Sequence, residues 1–296
     1  MRRPVNTLQF GISVVPLAEE RDQIRRVVER ADRLGVDLVG IQDHPYQRRF
    51  LDTWALIASL IPITTRIRFF PDVTNLPLRP PAMLAKAAAT LDVLSGGRFE
   101  LGIGAGGFWE AIRAMGGPMR RPGEALAALE EAIAILRAFW SGAPAVTFEG
   151  RHYTGRGLRP GPPPAHPIQI WVGGYRPRML DLIGRLADGW VPSAPYAPPQ
   201  HLPSMHERID VAAVAAGRRP GEIRRLYNLM GTVTPDGQGE WQGPVSWWVD
   251  TIARLATDLR MDTFIFWPAT DPLRQLEVFA GAVVPAVREA VRAAGR

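Results

Sequence analysis

Apolar residues recur along this chain in two alternating patterns. Residues 8–15, 38–42 and 67–71 are short, largely apolar runs that stop at proline or at charged residues. Each reads as a strand buried on both faces. Between them lie segments with helical spacing. Ile24, Val27, Val28, Ala31 and Leu34 return every three or four positions before Gly35, a residue suited to a left-handed helix end. Residues 53–61 predict a second helix and residues 80–94 a third, opened by Pro80-Pro81, since proline is tolerated in a first helical turn. The rhythm continues with strands at 98–107, 168–172, 189–191, 223–233 and 263–267. Helices at 124–140, 177–187, up to about 216, 245–259 and 272–294 follow them. Eight strand-then-helix units predict an α/β fold, a closed (β/α)8 TIM barrel forming one domain over residues 1–296. The alternation lapses only at residues 141–167, rich in Gly and Pro, where residues 146–153 predict a small hairpin. Because the alternation resumes at once, this is an insertion after the fourth helix and not a linker.

With 46% hydrophobic residues over 296 positions, the chain can bury one large core. It has no cysteine, which excludes disulfides, thiolate metal sites and cysteine nucleophiles. The net charge of +6 comes almost wholly from arginine, Lys86 being the single lysine. These arginines are scattered, with no basic block interleaved with aromatics, so nucleic acid is not an expected partner. A basic field does suit a small polyanion. No apolar run approaches the roughly 18 residues of a membrane span, and residues 1–4 carry charge without the apolar core of a leader. A cytoplasmic protein acting on a small organic molecule is the expectation.

In a barrel, chemistry sits at the C-terminal strand ends. The strand at 98–107 ends in a run of glycines, where a backbone can approach a flat or anionic group closely. Gly102, Gly104 and Gly107 match a GxGxxG pattern, yet earlier strands precede it, and Glu124, at the position expected for an acidic strand end, begins a helix. Asp43-His44 closes the second strand. One imidazole with one carboxylate is too few for a metal, and no HxH or HExxH spacing occurs, so no metal site is expected. His44 reads either as a turn-capping residue or as a neutral imidazole over a ligand. Gly173-Gly174-Tyr175-Arg176-Pro177 opens a helix, which brings free N–H groups, the positive dipole end and a guanidinium together, as a phosphate requires. Read structurally, the same glycines make an ordinary turn.

These residues also carry a resemblance. Asp43-His44, Val73-Thr74-Asn75, the stretch Gly97 to Gly106, Trp171-Val172-Gly173-Gly174 and Ala187-Asp188-Gly189-Trp190 occur in an order, and at strand ends, that resemble the bacterial luciferase-like flavin oxidoreductases. The branch that uses the deazaflavin coenzyme F420 is the most similar. The resemblance implies a barrel, often a homodimer, holding F420, or alternatively FMN, at its mouth. It implies His44 and Asp72 as catalytic residues and a cis peptide at Asp72-Val73 against the cofactor ring. Val73, Thr74 and Asn75 with Ala105, Gly106 and Gly107 would contact the ring and its side chain, and Gly173, Gly174, Tyr175 and Arg176 the phosphate. Ser13, Trp190 and Trp267 are the expected substrate-pocket residues. The implied activity is hydride transfer between F420 and a small organic substrate, with an FMN-dependent monooxygenase as the alternative and a non-catalytic cofactor-binding protein as a third reading. Two departures stand out: Asp72 where the family usually has a small residue, and Ala105 and Gly107 where some dehydrogenases carry a hydroxyl and a glutamate.

Overall fold

The computed structural model describes residues 8–237 and 239–295. The reading of residues 1–4 as no leader lies outside them. The strands are β1 (Gln9–Val14), β2 (Leu38–Ile41), β3 (Arg68–Pro71), β4 (Thr74–Asn75), β5 (Leu101–Gly104) and the hairpin β6 (Val146–Glu149) with β7 (Thr154–Leu158). Then come β8 (Ile170–Val172), β9 (Gly189–Trp190), β10 (Arg224–Val233), β11 (Gln242–Gly243) and β12 (Thr263–Pro268). The helices are α1 (Arg21–Leu34), α2 (Thr53–Leu60), α3 (Pro81–Ser95), α4 (Trp109–Ala114) and α5 (Pro122–Trp140). They continue as α6 (Pro177–Leu186), α7 (Leu202–Ala215), α8 (Val245–Thr257), α9 (Pro272–Val278) and α10 (Val284–Ala294).

The barrel strands pair in the order β3-β2-β1-β12-β10-β9-β8-β5-β4, all in parallel. β3 and β4 are two halves of one strand, separated at the Asp72–Val73 peptide, which is cis. The first half pairs with β2 and the second with β5, and a bridge from Phe69 to Phe99 completes the ring. The expected (β/α)8 barrel is therefore the observed one.

The period-two alternation decides which side chains meet. Phe10, Ile12 and Val14 pack outward with the helices, while Gly11 and Ser13 alternate toward the barrel axis. Leu38, Phe70, Trp171, Leu226 and Ile265 form a separate cluster inside the barrel. Bulk there is matched by glycine: a Cβ on Gly189 would lie 2.5 Å from Trp171, and one on Gly11 2.6 Å from Ile265.

The helix α4, the strand β11 and the shorter β5 were not read from the sequence, and two further differences have a local cause. The hairpin's second strand lies beyond the expected residues, because the Glu131 carboxylate on α5 accepts from the backbone N–H groups of Arg151, His152 and Tyr153. That carboxylate wraps the expected strand into a turn. The final helix is interrupted by a π-helical turn at Phe279–Val283. Pro285, which lacks an N–H, leaves the carbonyl four residues before it without its helical donor, a common origin of such a bulge. Among the described residues, no helix is long and apolar enough to cross a membrane.

Candidate active site

The strand ends form a mouth with few side chains on its floor. Gly40, Gly104 and Gly173 stand at the ends of β2, β5 and β8. Val73, redirected by the break in its strand, fills the space left by the last two: a Cβ on either glycine would come within 3.0 Å of its Cγ2. Gly106 has φ 104° and lies against Pro77, a Cβ there falling 2.6 Å from the ring, so only glycine fits. Ala105 is buried beside it. Gly107 has nothing within 4 Å of its Cβ position and opens onto the mouth.

Asp72 lies at the centre of this floor. It is 9% exposed. Its Oδ1 accepts from the Asn228 side-chain amide at 3.2 Å, and its Oδ2 has no partner. Burial pushes its pKa up to about 7, with the Asn228 hydrogen bond as the smaller, opposing influence. Asn228 donates also to Ser193 Oγ at 3.2 Å. Ser13 Oγ on β1, Thr74 Oγ1 and Asn75 Oδ1 on β4, and Asn228 Oδ1 on β10 are also buried without hydrogen-bond partners. Buried polar atoms are ordinarily satisfied. Such atoms on three separate strands, β1, β4 and β10, leave hydrogen-bonding capacity that a polar ligand can take up.

Asp43 and His44, adjacent in sequence, do different things. Asp43 is buried and occupied: it accepts from the Asn75 backbone N–H at 3.0 Å and from two nitrogens of Arg79 at 2.9 and 3.1 Å. Arg79 reaches Asp52 as well, the cap of α2. Asp43 therefore anchors the segment carrying Asn75, while His44 turns toward the mouth. Its Nδ1 is 2.8 Å from the Tyr46 hydroxyl, and its ring touches those of Tyr46, Phe50 and Phe108. Burial holds the imidazole below its ordinary pKa, against the opposing charge of Asp43. Burial, then the Asp43 charge, pushes the Tyr46 phenol up to about 12, while a hydrogen bond with the Asn75 side chain lowers it slightly. Where the phenol donates to Nδ1, the neutral imidazole carries its proton on Nε2 and can donate to a ligand; where Nδ1 carries the proton, Nε2 is an acceptor.

At β8 the chain turns through Gly173 and Gly174, the latter at φ 151°, into the N-terminus of α6. Tyr175 stacks on Tyr196 with ring centres 5.5 Å apart, and the Arg176 guanidinium lies over the Tyr175 ring. Arg176 forms no ion pair among the described residues.

A profile described as luciferase-like monooxygenase matches residues 7–249. The chain belongs to the luciferase-like monooxygenase family. An uncharacterised protein of Mycobacterium tuberculosis strain H37Rv is 32% identical over 250 residues, covering 80% of this chain and 79% of that one. A 5,10-methylenetetrahydromethanopterin reductase of Archaeoglobus fulgidus is 32% identical over 211 residues, 71% of this chain and 60% of the reductase. Among solved structures, an F420-dependent secondary alcohol dehydrogenase in complex with an F420-acetone adduct superimposes with TM-score 0.85 at 18% identity, over 96% of this chain and all of that one. The oxygenating constituent of 3,6-diketocamphane monooxygenase from Pseudomonas putida, in complex with FMN, does so with TM-score 0.77 at 18% identity, over 95% and 99%. These two share the fold.

In this luciferase-like barrel the residues expected around the pocket separate. Ser13 and Trp267 line one cavity, at the ends of β1 and β12. Trp190 does not face the pocket. It is fully buried, and its indole N–H donates to the Gly174 carbonyl at 2.7 Å. The reason is alternation: Gly189 faces inward against Trp171, which turns Trp190 outward as a prop behind the glycine turn. Three residues at the mouth were not anticipated, namely Tyr46, Asn228 and Ser193.

Proposed function

We propose that this oxidoreductase transfers a hydride between coenzyme F420 and a small organic substrate at the barrel mouth. The observation that carries the reading is the side-chain-poor floor, with the unpartnered Oδ2 of Asp72 against Gly40 and further unpartnered buried polar atoms on β1, β4 and β10. A flat heteroaromatic ring with alternating donors and acceptors fits both features. Asn75, Thr74 and Asn228 would meet its polar edge, Val73 would support its face, and Gly173, Gly174 and Arg176 would hold the phosphate at the start of α6. When bound, the cofactor supplies the hydride chemistry, and the barrel supplies orientation and exclusion of water.

The chain's own residues handle the proton. His44, in the neutral form that carries hydrogen on Nε2, donates a hydrogen bond to a substrate oxygen. Asp72, with a pKa of about 7, exists in both forms near neutral pH. It can give a proton to that oxygen during reduction or accept one during oxidation.

The choice of F420 over FMN is supported by a groove of about 1050 Å3 that begins at Tyr175 and Arg176 and runs between α6 and α7 past Tyr196, His201, Ser204 and Arg208. It offers room for a tail extending beyond the phosphate, which FMN lacks. The FMN-dependent monooxygenase remains the second reading because of the fold shared with the diketocamphane enzyme. Side-by-side titration of the apo-protein decides between them. Tighter binding of F420, with turnover of the reduced form, is expected. Clearly tighter FMN binding promotes the monooxygenase, and cofactor binding without consumption in a broad substrate panel promotes a non-catalytic carrier.

A further inference from the structure

Trp190 is fully buried, yet its one polar atom reaches out of the packed layer. The indole N–H donates at 2.7 Å to the carbonyl of Gly174, in the turn that carries the chain from β8 into α6. The indole is itself held from behind. The ring of His206, on α7, meets it edge to face with centroids 5.3 Å apart. His206 Nε2 lies 2.9 Å from the Leu259 carbonyl, an oxygen that only accepts, so the ring proton is there. Burial, then the charges of Arg225 and Arg260, push its pKa down to about 3, and this support does not titrate near neutral pH.

The bond fixes more than one oxygen. The peptide joining Gly174 to Tyr175 is trans, so its carbonyl and its N–H point in opposite directions. With the oxygen turned back to the buried indole, the Tyr175 N–H is directed away from it. The N–H groups of Gly174, Tyr175 and Arg176 have no backbone acceptor among the described residues. The turn does not hold this orientation by itself. Gly173 and Gly174 lack the Cβ that restricts other residues, and a peptide flanked by glycine can flip at little cost. Flipped, it would present an oxygen where an anion needs a donor. A bond that served only to satisfy a buried indole could be removed without effect on an anion, which separates the two roles.

We infer that Trp190 is a positioning residue: its N–H locks the peptide between Gly174 and Tyr175 so that the Tyr175 N–H is presented to an anion at the start of α6. The inference rests on the proposed reading of that turn as the phosphate site, and it adds a residue that the phosphate does not touch.

The test removes the N–H and keeps the ring. Trp190→benzothienylalanine, introduced at that codon, puts sulfur in place of the indole nitrogen, and Trp190→Phe is its simpler companion. Whichever of FMN and F420 the apo-protein binds is titrated beside its phosphate-free counterpart, the ring with its ribityl chain (riboflavin for FMN). In the parent the phosphate form is expected to bind more tightly. The isosteric variant should cut that advantage about tenfold, the worth of one charge-assisted hydrogen bond, while the phosphate-free form binds as before. In parallel, inorganic phosphate should shift the Tyr175 amide signal in NMR spectra of the parent and much less in those of the variant. An advantage that survives in the isosteric variant, or equal losses for both forms, overturns the inference and leaves the phosphate site standing. A parent with no phosphate advantage and no response at Tyr175 removes the phosphate site and the inference with it. If neither cofactor binds, the proposed function fails, and the Tyr175 response to inorganic phosphate in parent and variant decides the inference.

Discussion

The Asn228 amide reaches one oxygen of Asp72 at 3.2 Å and leaves the other, equally buried, without a partner. One neutral hydrogen bond does not offset the loss of hydration of a carboxylate, which is why the pKa rises to about 7. In the unfolded chain the same group titrates near 3.8. Between those values the folded state binds the extra proton, so stability falls as pH rises through this window and levels off above about 7. At roughly 1.4 kcal/mol per pKa unit, the full effect is up to about 4 kcal/mol. Asp72→Asn, which keeps the shape and cannot ionise, should melt higher than the parent by a margin that grows from pH 5 to pH 8. Thermal melts of both proteins across that range check it, and a constant margin would show that Asp72 ionises normally.

Removing the Asn228 donor should move the titration further. Asn228→Ala deletes the interaction that lowers the Asp72 pKa, so the pH at which the stability loss levels off should shift upward. The same melts, repeated in this background, give the midpoint. A midpoint that stays or falls would mean that the amide does not stabilise the charged form.

Tyr46→Phe removes the hydroxyl paired with His44 Nδ1 while conserving ring contacts. On the proposed mechanism the rate should fall about tenfold or more, in line with the loss of a group that orients an acid–base residue. The melting temperature should change little, because a single hydrogen bond is worth about 1 kcal/mol. The decisive readout is spectroscopic: nitrogen NMR of labelled histidine should report His44 with its proton on Nε2 in the parent and a mixture in the variant. His44→Gln identifies the signal. An unchanged tautomer would detach Tyr46 from the role given to it.

Much of this site was legible because barrel geometry assigns chemistry to strand ends, and strand ends can be read from where apolar runs stop. Asp43-His44, Asp72 to Asn75 and Gly173 to Arg176 all follow from that rule. Asn228 did not, because it lies inside the ten-residue strand Arg224–Val233 and not at its end. Its one signal is parity, two positions after the inward Leu226. Parity would also have turned Trp190 away from the pocket, since Gly189 and Trp190 must face opposite sides. Tyr46 follows a proline in a turn, where no periodicity governs direction, and its partnership with His44, two residues earlier, is set by that irregular turn. The cavity between β1, β12 and α1 joins residues more than 240 positions apart, and no local pattern joins them.

The glycines provide the last prediction, because the structure separates those that serve packing from those left open. A Cβ on Gly102 would lie 2.1 Å from the carbonyl oxygen of Pro71, a backbone atom fixed by the pairing of β3 with β2. Gly102→Ala must displace a strand, and overpacking of this kind costs about 1–3 kcal/mol or more. Gly107 has open space at its Cβ position, so Gly107→Ala should leave the melting temperature almost unchanged. Gly173→Ala falls between: its Cβ would meet Val73 Cγ2 at 3.0 Å and Cγ1 at 3.3 Å, contacts a small side-chain shift relieves. That variant should remain folded, while the shifted Val73 and the added methyl intrude on the floor and weaken cofactor binding. Melting temperatures should therefore rank Gly107→Ala above Gly173→Ala above Gly102→Ala. A Gly173→Ala protein that is folded and binds F420 and FMN as the parent does would detach this glycine from the cofactor site.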